Sequence, residues 1–167
     1  MSELKKYKMF IDGEWVDSES KKTFQTLNPE NNEPWAEVPE ASEKDVDKAV
    51  KAAQKAFEGT WPSLFPKERA KYLKAIAEQL RKNAELLGKI ETIDTGKLFK
   101  ETKTQANYIA EYYDYYAGLA DKVEGTVLPI DKSNMQVITT RVPIGVVAAI
   151  IPWNSQMLLT AVKLAPA

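Results

Sequence analysis

The chain has 167 residues, 44% hydrophobic and 28% charged, with a formal net charge of -1. That composition suits a globular domain with one sizeable core, and the charge balance excludes the basic face that a nucleic-acid binder needs. Neither cysteine nor histidine is present, so disulfides, thiolate or imidazole catalysis and sulfur or imidazole metal sites are excluded within these residues, leaving carboxylates, lysines, tyrosines, hydroxyls and amides.

The N-terminal MSELKKYKMF carries lysines with no apolar run behind them. No secretory leader is expected, and cytoplasmic residence is the default. Residues 7 to 17 are predicted to form a hairpin. Asp12-Gly13 sits between apolar flanks at Met9, Ile11, Trp15 and Val16 and supplies the positive φ angles of a type I′ turn. Residues 23 to 28 and 35 to 38 are predicted as short strands on either side of the turn at Asn28-Pro29.

Ser42, with Asp45 three residues on, marks a helix start. Val46, Ala49, Val50, Ala53 and Phe57 share one face of that helix, and Gly59 ends it. Trp61-Pro62 and Pro66 interrupt the chain, and Pro66 suits the first turn of a second helix. Ala70, Leu73, Ile76, Ala77, Leu80, Leu87 and Ile90 keep the 3.6-residue period, which predicts one helix of six or more turns ending near Asp94-Thr95-Gly96. A third helix is predicted from about Lys97 to Lys122, with Leu98, Ala106, Ile109, Tyr113, Tyr116 and Ala120 on its apolar face. Tyr112, Tyr113, Tyr115 and Tyr116 surround that helix. They read either as aromatic packing between two neighbours or as a group with one tyrosine lining a ligand tunnel. Gly125 is expected to end the helix.

From residue 126 to 142 the pattern changes to period two. Mixed polar and apolar residues on both faces predict an exposed strand completed by another subunit. The most apolar run follows, Val142 to Asn154, reading VPIGVVAAIIPWN. It is too short for a membrane span, which needs about 20 apolar residues. Residues 145 to 151 are predicted as a strand buried on both faces and stopped by Pro152. A helix is predicted from Ser155 onward.

Two clusters carry candidate chemistry. Glu91 to Lys97 gathers two carboxylates, two hydroxyls and a lysine at a helix end. There Gly96 reads as the C′ residue and the polar groups as caps, with an oxygen-lined cation site as the alternative. Pro152-Trp153-Asn154 reads either as a strand end with a capping Asn or as an amide donor placed where an oxygen becomes negative during reaction. No glycine-rich dinucleotide or phosphate-loop fingerprint occurs, nor HExxH or GxSxG.

The pieces FIDGEWVDS, TLNPENNEPWAEVPEAS, DVDKAVKAAQKAF, ERAKYLKAIAEQL, ETIDTGK, YYAGLADKVEG and PIGVVAAIIPWN occur in that order. In this order the chain resembles the N-terminal part of the NAD(P)-dependent aldehyde dehydrogenase superfamily, from about Tyr7 to the last residue. The resemblance implies an α/β fold with a Rossmann-like cofactor domain, flanking helices and an extended β arm that bridges subunits. It divides the chain into cofactor-domain hairpin and helices over 1–123, the arm over 124–143, and the first strand and helix of an incomplete Rossmann-like core over 144–167.

Members oxidise aldehydes to carboxylic acids. A cysteine thiolate adds to the carbonyl, hydride passes to nicotinamide, and a glutamate activates the water that hydrolyses the thioester. The resemblance assigns Asn154 to the oxyanion-hole amide. Ile150, Ile151, Pro152 and Trp153 are assigned to the strand end beside NAD or NADP. Tyr108, Ser155 and Leu159 are assigned to the substrate tunnel, and Asp94 with the carbonyls of Thr26 and Leu27 to a monovalent-cation site. It also implies an aldehyde substrate, a homodimer or homotetramer, and no nucleic-acid or membrane partner.

Family chains are several hundred residues long. Their catalytic glutamate, their nucleophilic cysteine and the strand that reads the adenosine ribose lie beyond the position of Ala167. The chain is therefore expected to be a fragment, truncated or split, and inactive without the remainder of the enzyme. Ser155-Gln156 departs from the aromatic residue and proline usual after PWN, so a wider and more polar tunnel is expected there. Two other readings compete. One is a non-enzymatic helical interaction module; the other is a carboxylate-based hydrolase using Glu91 and Asp94.

Overall fold

The structure, a computed structural model, describes residues 4–167. Its N-terminal part is built of short strands. The strand β1 (Lys5–Lys6) runs parallel to β5 (Glu33–Pro39), which pairs antiparallel with β4 (Thr23–Asn28) in the order β1-β5-β4. The ladder between β4 and β5 shifts register between Thr26 and Leu27. Separately, β2 (Met9–Ile11) and β3 (Glu14–Val16) form the expected hairpin, with Ile11 opposite Glu14. Asp12 at φ 51° and Gly13 at φ 83° make its two-residue turn, as a primed turn requires.

The first helix, α1 (Glu43–Glu58), starts where Ser42 and Asp45 predict. The Asp45 carboxylate accepts from the Ser42 N–H at 2.8 Å and from the Ser42 hydroxyl at 2.7 Å. It also accepts from the Ser18 hydroxyl at 3.0 Å and from the Glu19 N–H at 3.1 Å, which ties the loop after β3 to the helix start. The hydrogen bonds from Ser42 are the largest cause holding the Asp45 carboxyl down at about 2, against 3.8 ordinarily. A carboxyl depressed by folding contributes stability that is fully present above its unfolded pKa and fades as pH falls through the folded one. Acid unfolding between pH 4 and 2, by the values just given, is therefore expected to be less steep in Asp45→Asn, measured by circular dichroism.

Where one long second helix was expected, there are two, α2 (Pro66–Lys82) and α3 (Ala84–Thr95). The break lies at Asn83, whose φ of -107° and ψ of 12° leave the helical region. The hydrophobic period runs on through the break, so periodicity alone reads as one helix. Gly96, at φ 75°, closes α3 as a left-handed C-terminal residue, its N–H donating to the Thr92 carbonyl at 2.9 Å. This is the role expected of it.

The helix α4 (Phe99–Leu119) is shorter at both ends than the predicted 97–122, and Gly125 lies well past its end. It runs against both α2 and α3. A last helix, α5 (Gln156–Leu164), packs on α4. The core sits where α2, α4 and α5 meet, around Ala77, Ile109, Ala110, Tyr113, Ala161 and Ala165. Of the four tyrosines, Tyr113 is buried in that core, Tyr112 and Tyr116 lie against it, and Tyr115 is exposed. The rings of Tyr112 and Tyr116 are 4.9 Å apart and those of Tyr115 and Tyr116 are 5.2 Å apart. Tyr113 thus packs in the core and Tyr112 and Tyr116 pack against it, as the aromatic-packing reading expects.

Two expectations for the C-terminal third need correction. Period two over 126–142 condenses into a small ribbon, β6 (Val127–Leu128) against β7 (Val137–Ile138), and not one long strand. The predicted strand over 145–151, which was to carry Ile150 and Ile151 to the cofactor, has no regular structure. Most of its side chains face outward, with Val147 69% and Ile150 90% exposed, while Ile151 is half-buried. The reason is physical: a doubly buried parallel strand needs a neighbour on each side to satisfy its backbone, and no described strand pairs with it. An exposed apolar run of this kind is a docking surface or an aggregation liability. The purified 167-residue chain is therefore expected to bind a hydrophobic dye and to self-associate, and Val147→Lys with Ile150→Lys should reduce both, as read by fluorescence and light scattering.

Candidate functional site

The C-terminal end of α3 and the N-terminal end of α5 meet, and polar side chains join them. Gly96 lets the chain turn sharply after α3, which returns Lys97 toward the last turn of its own helix. There the Lys97 ammonium pairs with Glu91 Oε1 at 3.1 Å. The Glu91 side chain is only 2% exposed, against 28% for Lys97. Lys97 also donates to the Ser155 hydroxyl, the residue that opens α5. The second Glu91 oxygen, Oε2, is buried without a hydrogen-bond partner among the described residues.

A parallel set of contacts runs through Asp94. Its Oδ1 accepts from the Thr26 hydroxyl at 2.7 Å and from the Trp35 indole at 3.3 Å, and its Oδ2 from the Gln156 amide at 2.9 Å. One carboxylate therefore joins β4, β5, α3 and α5. An ionised carboxylate offers about four acceptor positions, and three are taken. The register shift beside Thr26 and Leu27 is the kind of irregularity that releases backbone groups from a ladder. No group of three or more acidic, His or Cys residues able to hold a metal occurs among the described residues.

Asn154 lies directly before this junction. It is exposed, and its amide has no hydrogen-bond partner among the described residues. The cap position of α5 belongs to Ser155, which makes no capping bond with its side chain, so the capping reading of Asn154 does not hold. A free amide beside a helix start can donate to an external oxygen. Pro152 and Trp153 are likewise exposed, and Ile151 is half-buried. Leu159, on α5, is half-buried, whereas Tyr108 is exposed on α4 and makes no side-chain hydrogen bond among the described residues. The structure thus joins Thr26 and Gln156 to Asp94, and Ser155 to Lys97, by direct contacts and leaves Asn154 beside them. Glu91, Lys97 and Trp35 are the additions. Glu91 and Lys97 were visible as a charged cluster, but their link to Ser155 spans 58 residues and leaves no local signal.

Exposure of Asn154 suits an interaction module as well as an enzyme, so comparison with known proteins decides between the two. The family model described as aldehyde dehydrogenase family matches residues 15–167. The chain belongs to the aldehyde dehydrogenase family. Among similar proteins, (Z)-2-((N-methylformamido)methylene)-5-hydroxybutyrolactone dehydrogenase of Acinetobacter baylyi is 46% identical over 98% of this chain and 33% of its own length. Betaine aldehyde dehydrogenase of Bacillus subtilis is 43% identical over 95% of this chain and 33% of its own. A solved aldehyde dehydrogenase from Bacillus cereus superposes with a TM-score of 0.92 at 37% identity, over 96% of this chain and 33% of that one. A betaine aldehyde dehydrogenase from Staphylococcus aureus, solved in complex with NAD+, gives a TM-score of 0.89 at 37% identity, over 95% and 32%. The chain thus spans about a third of the length of the aldehyde dehydrogenases it matches. The family accounts for the α/β fold, a small sheet and helix layer leading into an open segment before α5. No described helix is long and apolar enough to cross a membrane.

Proposed function

We propose that this chain is the N-terminal part of an aldehyde dehydrogenase that oxidises an aldehyde to a carboxylic acid, and that Asn154 supplies the side-chain half of its oxyanion hole. The observation that carries this reading is the unpartnered, exposed Asn154 amide at the start of α5, in a chain of this family. As a thiolate adds to the aldehyde, the carbonyl oxygen gains negative charge, and a preorganised Asn Nδ2–H donates to it more strongly in the transition state than in the ground state. The chain contains no cysteine, so the nucleophile is assigned to the remainder of the enzyme, together with the glutamate that activates water.

Ile150, Ile151, Pro152 and Trp153 would form an apolar wall beside the cofactor, and the exposed surface of Ile150, Pro152 and Trp153 fits that task. NAD or NADP, when bound, supplies the hydride acceptor. Tyr108, Ser155 and Leu159 are assigned to the substrate tunnel. Asp94, with the Thr26 and Leu27 carbonyls, would hold a monovalent cation that ties the sheet to α3. Residues 1–123 would support the cofactor domain, 124–143 would bridge subunits in a homodimer or homotetramer, and 144–167 would open the Rossmann-like core. The relatives above are named for a 5-hydroxybutyrolactone and for betaine aldehyde, so similarity alone leaves the aldehyde open.

The test is NAD(P)H formation with an aldehyde panel, run on the complete protein carrying this segment and on the 167-residue chain. Turnover by the complete protein and none by the segment is expected. Turnover by the segment alone would remove the cysteine-dependent mechanism.

A further inference from the structure

Lys97 and Glu91 form a charged pair that the oxidation mechanism does not use. The carboxylate is almost wholly buried, so it holds the ammonium at the α3–α5 junction and keeps it from extending into water, where a lysine would otherwise place its charge. An ammonium has three N–H donors. One goes to Glu91 Oε1, one to Ser155 Oγ, and the third has no hydrogen-bond partner among the described residues. Ser155 Oγ accepts from Lys97, which leaves its own O–H free to donate, and that proton too has no partner among the described residues. Accepting from a cation polarises the hydroxyl and strengthens it as a donor. Two unspent donors therefore stand immediately after Asn154. The pair is neutral overall, so the position favours a neutral oxygen acceptor over a carboxylate, and the nearby ammonium disfavours a cationic group.

From this geometry we infer that Ser155, backed by the Lys97–Glu91 pair, is a polar subsite for a hydroxyl or carbonyl oxygen of the substrate, which makes oxygenated aldehydes the preferred class over alkyl aldehydes of the same shape. The inference rests on the reading of Asn154 as the amide at the reacting carbonyl, since that reading places Ser155 beside the substrate. A substrate with no acceptor there leaves a desolvated donor unpaired, which costs more than the hydrogen bond itself contributes.

The test uses the complete enzyme and two near-isosteric pairs, 2-hydroxypropanal with 2-methylpropanal and 3-hydroxypropanal with butanal. The quantity read is the ratio of kcat/KM within each pair. The wild type is expected to favour the hydroxylated partner in at least one pair. Ser155→Ala should lower that ratio about tenfold, and Ser155→Thr, which keeps the hydroxyl, should retain it. Lys97→Met alone leaves Glu91 unpaired and risks misfolding, so Lys97→Met is combined with Glu91→Gln. That double variant should lower the ratio in the same direction while keeping the wild-type circular dichroism spectrum. A ratio unchanged in Ser155→Ala, or a wild type that favours the alkyl partners, overturns the subsite while aldehyde oxidation stands. Failure of the wild type to oxidise any of the four aldehydes, or others in a wider panel, overturns the oxidation reading and the subsite with it.

Discussion

Asn154→Ala is expected to lower kcat of the complete dehydrogenase by about 10²–10³-fold, the typical loss when one oxyanion-hole donor is removed. The structure makes this a chemical effect and not a folding one. Asn154 is exposed, makes no side-chain hydrogen bond among the described residues and is not the cap of α5. Truncating such a side chain leaves no buried group orphaned and no cavity, so stability should change by less than about 0.5 kcal/mol. KM should move far less than kcat, because the donor acts on charge that develops only in the transition state. Steady-state kinetics beside a thermal melt separate the two effects. Asn154→Asp is the sharper control. It keeps the size but replaces a donor with a negative acceptor, and it should be at least as damaging as alanine.

The largest structural effect is expected at Gly88. This residue lies inside α3, where it packs against α4. A Cβ added there would sit 2.8 Å from the Lys103 backbone nitrogen and 2.9 Å from its Cα. Both neighbours are backbone, so no side chain can rotate away and the helices themselves must separate. At the same crossing the buried Thr102 hydroxyl donates to the Gly88 carbonyl at 2.9 Å and lies 2.9 Å from the Thr92 hydroxyl. Separation would strain these contacts as well. Gly88→Ala is therefore expected to destabilise by about 1–3 kcal/mol, despite the better helix propensity of alanine. Chemical denaturation of the complete protein, followed by circular dichroism, measures it. A shift of α3 would also move Glu91 and Asp94, so kcat is expected to fall along with stability.

Features governed by local chemistry were legible in the sequence. The Asp12-Gly13 turn, the Ser42 helix start and the left-handed Gly96 each depend on a few adjacent residues, and all three appear as predicted. The helix break at Asn83 was not legible, because hydrophobic periodicity tracks the buried face and continues across a short irregularity. The apolar run at 145–151 shows the opposite limit. Its composition reports burial on both faces, but a strand exists only where a neighbouring strand completes its ladder, and no neighbour pairs with it among the described residues.

The site divides in the same way. Asn154 and Asp94 stood out locally as candidates, and family resemblance carried by motif order assigned their roles. The tethers from Lys97 to Ser155 and from Gln156 to Asp94 depend on contacts across 58 and 62 residues, which no spacing rule reaches. Those tethers involve both residues that depart from the usual family pattern. Ser155 and Gln156 replace an aromatic ring and a proline with polar groups, and each finds a partner in or just beyond α3. The start of α5 is thus secured to the end of α3 by side-chain hydrogen bonds.

The most direct measurement on Asn154 is the rate of the first NAD(P)H formed per active site after the complete enzyme is mixed rapidly with a saturating aldehyde. On the proposed mechanism, thiolate addition to the aldehyde precedes that signal and hydride transfer generates it, while thioester hydrolysis and product release follow it. If Asn154 stabilises the oxyanion, Asn154→Ala slows this first turnover by about 10²–10³-fold with cofactor affinity unchanged. A first turnover at the wild-type rate in a folded Asn154→Ala enzyme would contradict the assignment.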